Sequence, residues 1–159
     1  MSKSEVRRRA DPVDELFALD DSPFYWISRV SGRYVQDMGA ALRRVGMDVP
    51  RWRVLMILHE TNPASVSTIS ERAVIKLSTV TRIVQRMQAD GLVTCAPRAS
   101  DARVTEVRLT PLGVEAMEKV RGPASRIFHR AFDSFSDEEI TVLIRLLHRL
   151  FDNLETPRR

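Results

Sequence analysis

With one cysteine in 159 residues, this chain cannot form an intrachain disulfide, and cysteine usage of this kind suits a reducing compartment. Histidine is nearly as scarce. His59, His129 and His148 stand far apart, with no spacing to a cysteine that would build a metal site, and each reads as a surface or interface residue. The six glycines are scattered rather than gathered into a phosphate-cradling loop, and HExxH and GxSxG are absent. No catalytic constellation, metal or cofactor is therefore expected. No apolar run approaches the roughly 20 residues that a membrane-spanning helix needs, and the charged opening MSKSEVRRR lacks the apolar core of a signal peptide. A cytoplasmic protein is expected. Internal repeats, low-complexity tracts and long linkers are missing too.

What remains is a basic chain, +4 from 25 basic and 21 acidic residues, large enough to bury a core without staples as one domain or one compact unit with a helical extension. A positive balance suits a nucleic-acid binder. The informative stretch runs from Ile69 to Arg103. Within Ser78 to Asp90, STVTRIVQRMQAD, the residues Val80, Ile83, Val84 and Met87 recur at three- and four-residue spacing and form one apolar helix stripe. Thr79, Thr81, Arg82, Gln85 and Arg86 are left on the other face, and no acid interrupts them before Asp90. Hydroxyl, amide and guanidinium groups are what bind phosphate oxygens and base edges in a major groove. Ser78 is the expected N-cap and Gly91 the C-terminal stop.

Before this helix, residues 66–73 read as a partner helix capped by Ser67 or Thr68, with Glu71 completing a capping box if Thr68 is the cap. After it, residues 92–98 and 104–109 read as two strands around the turn 99–103. Arg98 and Arg103 then sit at the tip of a hairpin where a long cation reaches a phosphate or a minor groove, and Asp101 is close enough to orient Arg103. Helix, turn, polar-faced helix and hairpin together make a winged helix-turn-helix in a mainly α protein with a small β-wing.

Outside this lobe, residues 22–45 read as a helix with Ser22 as N-cap, followed by a helix from Pro50 to the break at Asn62-Pro63. Residues 110–132 read as a long helix kinked at Gly122-Pro123, and residues 136–154 as a last helix with Ser136 and Glu139 in a capping box. Ile140, Leu143, Leu147, Leu150, Phe151 and Leu154 give that last helix a wide apolar stripe, more than one subunit needs to cover its own small lobe. The organisation expected is a mobile arm over 1–21, a dimerisation region over 22–48 and 111–159, and the DNA-binding lobe over 49–110. Arg7, Arg8 and Arg9 in the arm either touch phosphates or belong to a solvated tail.

The run LSTVTRIVQRMQADGLV from Leu77 to Val93, the wing element Asp101-x-Arg103 and LTPLG from Leu109 to Gly113 resemble the MarR (multiple antibiotic resistance regulator) family of dimeric bacterial transcription factors, over most of the chain. The resemblance implies a homodimer, built from N- and C-terminal helices, that binds a pseudo-palindromic operator in double-stranded DNA and represses a nearby catabolic or efflux operon. It also implies release by a small aromatic acid such as a benzoate, a phenylalkanoate or an indole-acetate-like molecule. In relatives such acids lie between the dimerisation helices and the DNA-binding lobe. The positions carried over are Trp26, Ser28 and Tyr34 on the first long helix and Arg51 and Trp52 on the second, although some carboxylate-binding relatives have arginine where this chain has Ser28. An arginine in a first helical turn faces the positive end of the dipole, unfavourable by roughly a few tenths of a kcal/mol, so Arg51 calls for an anion. The other readings of the same residues are core tryptophans with arginines on phosphates or acidic neighbours, a regulator that takes no ligand or senses oxidants at Cys95, and an interaction dimer that does not bind DNA.

Overall fold

The structure is a computed structural model that describes residues 4–155; the ends of the expected arm and of the expected dimerisation region, 1–3 and 156–159, lie outside the described residues. In chain order the described residues form α1 (Glu5–Ala10), a 3-10 turn (Leu19–Asp21), α2 (Pro23–Arg43), α3 (Val49–Glu60), β1 (Ala64–Ser65), α4 (Val66–Ala73), α5 (Leu77–Ala89), β2 (Val93–Arg98), β3 (Asp101–Leu109), α6 (Pro111–Ala131) and α7 (Asp137–Glu155). The fold is mainly α with a small antiparallel sheet in the order β1-β3-β2. Two compact units divide it, Met1–Pro123 and Ala124–Arg159, with the boundary inside α6.

In the first unit α3 is the central helix. Trp52, Val54, Leu55, Ile57 and Leu58 are all buried, so apolar residues surround most of its circumference instead of forming one stripe. Around it α4 contributes Ile69 and Ala73, α5 contributes Val80, Val84 and Met87, and Val93 and Val107 come from the sheet. Met38 and Leu42 near the end of α2 and Met117 and Val120 of α6 are buried as well, each pair at helical spacing. Each fully buried side chain of this size contributes roughly 1.5 to 3 kcal/mol relative to exposure.

The helix ends differ from expectation in three places, each for a local reason. Ser65, not Ser67 or Thr68, caps α4: its Oγ accepts from the Thr68 amide at 3.0 Å, because pairing of Ser65 with Glu106 leaves it as the last extended residue. The helix α5 begins at Leu77, and the Lys76 carbonyl accepts from the amides of Thr79 and Val80, so Ser78 stands in the first turn and is not the cap. Ser22 is the N-cap of α2 by position, but its side chain makes no capping bond: its carbonyl accepts from the Trp26 amide at 3.3 Å and its own amide donates to the Leu19 carbonyl at 3.1 Å. At the other end of α5, Gly91 has φ +73° and the Leu92 amide bonds the Met87 carbonyl at 2.9 Å, a left-handed glycine cap as expected.

The sheet has one strand more than the sequence suggested. Two residues are too few to show alternation, and β1 exists because Ala64 and Ser65 meet Val107 and Glu106 across the fold. The wing turn is also tighter: β3 starts at Asp101, Arg98 pairs with Asp101, and an irregularity between Pro97 and Arg98 absorbs the change of register. Helix α6 continues through Pro123, whose missing N–H leaves the Lys119 carbonyl without its helical donor.

At the N-terminus, where an arm was expected, the Arg8–Asp14 ion pair ties α1 to the loop that follows it, the Arg9–Asp21 pair ties it to the 3-10 turn, and the Ala18 amide bonds the Arg9 carbonyl at 2.9 Å. In the second unit, Ser136 and Glu139 cap α7 reciprocally, at 2.8 and 3.2 Å, as the sequence indicated. No residue of α7 is buried, and Leu143, Leu147, Phe151 and Leu154 of its stripe face solvent.

One contact is decisive for how the sheet hands over to α6. A Cβ added to Gly113 would lie 2.1 Å from the Leu92 carbonyl oxygen, so the start of α6 rests against the backbone leading into β2. Gly113→Ala should lower the unfolding free energy by about 2 kcal/mol or more, since backbone meets backbone and neither can step aside. Urea unfolding followed by circular dichroism checks this; a midpoint equal to the parent's would show that the two segments separate at little cost.

Candidate nucleic-acid interface

The turn of the helix-turn-helix is held by backbone bonds from Val74 to Glu71 and from Ile75 to Ser70, and by the Ser70 hydroxyl donating to the Ile75 carbonyl at 2.7 Å. Val74 adopts φ 52°, a left-handed conformation uncommon for a β-branched residue, and its side chain is exposed. From this turn α5 departs with Val80, Val84 and Met87 inward. Its helical period therefore sends Ser78, Thr79, Arg82, Gln85 and Arg86 outward, and all five are exposed. Thr81 is half-buried at the edge of this face, its hydroxyl donating to the Leu77 carbonyl at 2.9 Å. Among the described residues the side chains of Arg82 and Arg86 take no hydrogen bond and no ion pair, so two cations on the exposed face of α5 have no anion of the protein's own.

The wing arginines differ from each other. Arg103 is 92% exposed and is gripped by Asp101, whose carboxylate accepts from Nε at 3.1 Å, from Nη2 at 3.4 Å and from the Arg103 amide at 3.1 Å. Those bonds hold the Asp101 carboxyl below its ordinary pKa, the side-chain bond first and the amide second. Arg98 was expected to reach outward from the tip like Arg103. Its Nε instead donates to Glu106 at 2.8 Å across the hairpin, so its charge is answered within the wing.

A groove of about 390 Å³ lies between α5 and the wing, and it brings Thr81 and Gln85 together with Arg103. Gln88 and Thr105 line it too, and neither was singled out from the sequence. Gln88 had a visible signal, since it follows Thr81 and Gln85 on the same helical face; Thr105 had none beyond its place in a strand. Cys95 also lines the groove, half-buried, and burial pushes its thiol pKa up, which keeps it protonated and a poor nucleophile near neutral pH.

The residues considered for a ligand fall into two sets. Trp26, Ser28 and Tyr34 are exposed along α2. The Trp26 indole donates to the Asp20 carbonyl at 2.7 Å and meets the Tyr25 ring edge-on at 5.5 Å, while the Arg29 guanidinium lies 5.3 and 5.7 Å from the Tyr25 and Trp26 ring centres. Trp52 is instead part of the core. Arg51 has its anion inside the chain: Asp48 accepts from its Nε at 3.0 Å, Asp90 from its Nη1 at 3.0 Å, and the Gly46 carbonyl from its Nη2 at 3.0 Å. Among the described residues no cluster of His, Cys, Asp and Glu could hold a metal, and no helix is long and apolar enough to cross a membrane.

An exposed cationic helix seated by a second helix, with an arginine-tipped hairpin beside it, defines a winged helix-turn-helix DNA-binding protein. The sequence model of the MarR family matches residues 47–105, from the corner between α2 and α3 into strand β3 of the wing. The HTH-type transcriptional repressor IacR of Pseudomonas putida is 46% identical over 146 residues, which is 92% of this chain and 87% of that protein. A MarR-family transcriptional regulator from Silicibacter pomeroyi superposes with a TM-score of 0.80 at 24% identity, covering 89% of this chain and 96% of that one. BpsR of Bordetella bronchiseptica, whose DNA binding is regulated by 6-hydroxynicotinic acid, superposes with a TM-score of 0.76 at 20% identity over 86% and 97% of the two chains. This chain belongs to the MarR family and is a DNA-binding transcriptional regulator.

Replacing Arg82 or Arg103 with alanine should weaken operator binding by about 1 to 3 kcal/mol each and make its salt dependence shallower, with the fold retained. Titrations of a labelled duplex at several salt concentrations read both quantities; full affinity in both variants would remove these residues from the interface. Asp101→Asn should cost less than Arg103→Ala, because it loosens a contact and removes none. The depressed pKa of Asp101 means that its grip on Arg103 is complete above the ordinary carboxylate pKa and is lost only as pH falls through the lower value. Operator affinity at constant ionic strength should thus carry no component from Asp101 between roughly pH 5 and 8.

Proposed function

We propose that this protein represses transcription as a homodimer on a pseudo-palindromic operator, in the cytoplasm, and that a small aromatic carboxylic acid releases it. The DNA-binding lobe is 49–110, and the dimerisation region comprises 22–48 and 111–159. The observation that carries the DNA-reading part is the pair of unanswered cations Arg82 and Arg86 on the exposed face of α5, with Arg103 joined to that face by the groove. Repression follows the similarity to IacR, named as a repressor. A two-fold operator requires two recognition helices about 34 Å apart, which one subunit does not have.

The dimer reading rests on apolar surface. Along α2 the side chains of Phe24, Ile27, Val30 and Val35 are exposed, and along α7 so are Ile144, Leu147, Phe151 and Leu154. Exposed apolar side chains along a helix mark an interaction face, and on each of these two helices a second copy covers them.

The effector reading is supported by the regulation of BpsR by an aromatic acid and by the open positions on α2. Trp26 and Tyr34 offer ring surfaces, Ser28 a hydroxyl, and Arg29 an exposed guanidinium beside Trp26. Arg51 and Trp52 enter this site only if the lobe rearranges, since one is bonded on all three nitrogens and the other is core. A ligand releases DNA by preferring a helix spacing that does not fit the operator, and a tenfold loss of affinity needs about 1.4 kcal/mol of such coupling.

Light scattering at micromolar concentration should show a dimer, and an acidic substitution at Leu147 or Phe151 should dissociate or unfold it; a monomer that still binds its operator tightly would sink the dimer reading. Calorimetry against a panel of benzoates, phenylalkanoates and indole-acetate-like acids should find one that binds below millimolar and loses affinity with Trp26→Ala and Arg29→Ala. If none binds, the effector reading falls and the DNA-binding reading stands.

A further inference from the structure

One side chain of the first unit joins three helix ends. Arg51, in the first turn of α3, donates through Nη2 to the Gly46 carbonyl in the corner after α2, through Nε to Asp48, the N-cap of α3, and through Nη1 to Asp90, the C-cap of the recognition helix 39 residues away. The side chain of Arg51 is 14% exposed, against 40% for Asp48 and 43% for Asp90, so the cation is the enclosed member of the cluster and the acids are its rim. Asp48 also accepts from the Arg51 amide at 2.9 Å, which fixes the first turn of α3 beneath the guanidinium.

Electrostatics makes the three groups interdependent. A cation at a helix N-terminus and an anion at a helix C-terminus are each at the unfavourable end of their own dipole, and pairing Arg51 with Asp90 answers both at once. A planar guanidinium with several fixed donors holds acceptors at set distances and angles, which an ammonium does not. The buried contacts of α5, through Val80, Val84 and Met87, are apolar and non-directional. Directional bonds are concentrated at its C-terminal corner: Arg51 to Asp90 from α3, and the Thr110 hydroxyl to the Gly91 carbonyl at 2.7 Å from the start of α6.

We propose that Arg51 is a positioning residue for DNA recognition, holding the C-terminal end of the recognition helix in register with the corner between α2 and α3 through Asp90. It touches no DNA itself. A shift of that corner moves Gly46 and Asp48, and the guanidinium carries the shift to Asp90 and so to the face bearing Arg82, Gln85 and Arg86. The inference rests on DNA binding by α5 and not on any effector.

The sign of the expected effect separates this role from a plain surface charge. Removing an acid from the neighbourhood of DNA ordinarily strengthens binding, whereas loss of the Asp90 tie should weaken it. The test uses the full chain and two labelled duplexes, one selected by the parent protein from a random pool and one of unrelated sequence. Asp90→Ala and Arg51→Met should each lose about tenfold on the selected duplex and little on the unrelated one, within the usual range of couplings between sites. The double variant should be no worse than Arg51→Met alone, and Asp90→Glu should recover most of the affinity. The salt dependence should stay as steep as the parent's, because no phosphate contact is lost. Equal losses on both duplexes, a shallower salt slope, or a folded Asp90→Ala that binds the selected duplex as the parent does would each overturn the proposal. Asp90 is exposed enough that its variants fold even if Arg51→Met does not.

Discussion

Which face α5 presents to solvent depends on three side chains being out of water. Val80, Val84 and Met87 are buried against α3 and its neighbours, and once they are inward the helical period leaves Arg82, Gln85 and Arg86 no direction but outward. Burial supplies the energy, and periodicity converts it into an orientation. The same core explains why α3, which supplies no candidate DNA contact, is apolar around most of its surface: it is the floor on which α4, α5 and the sheet are laid.

The arginines sort by whether the protein answers them. Arg9, Arg51, Arg72 and Arg98 have carboxylate partners, and these arginines lie at element ends or across the hairpin, where they tie backbone segments together. Arg82 and Arg86 have none among the described residues, while Arg103 is paired only with the aspartate two residues before it and remains almost fully exposed. A charge left unanswered on a rigid surface has no offset within the fold, so its natural complement is a polyanion. Arg43, Arg44, Arg108, Arg145 and Arg149 have no ion pair among the described residues either, so the candidate interface is located by the place of Arg82 and Arg86 together on one exposed face of α5, which +4 spread over a whole chain does not specify.

The two units differ in how they are stabilised. The first has a closed core, whereas the second carries an apolar helix, α7, without one buried residue, beside the run of rings formed by Phe128, Phe132 and Phe135 at 5.0 and 5.3 Å. A helix of this kind gains little from its own subunit. In the proposed homodimer its stability and its association would be one equilibrium, and the order of this region would then depend on protein concentration.

Much of this was legible in the sequence because it obeys short-range rules. The stripe of α5, the left-handed glycine after it, the reciprocal capping of α7 by Ser136 and Glu139, and the Asp101–Arg103 pair all involve residues within about one or two turns of each other, where chain geometry leaves few choices. Only the tertiary structure decided the rest. Strand β1 exists because the chain returns at Val107, Ser65 became a cap because that pairing made it the last extended residue, and Arg98 turned to Glu106 across a hairpin whose register had been set by an irregularity at Pro97. Arg51 is the clearest case. Its sequence position identified an arginine at the wrong end of a helix and so the need for an anion, but which anion answered it was settled by folding, which brought Asp90 from 39 residues away to within 3.0 Å. Local rules can state that a charge must be compensated; only packing selects the partner.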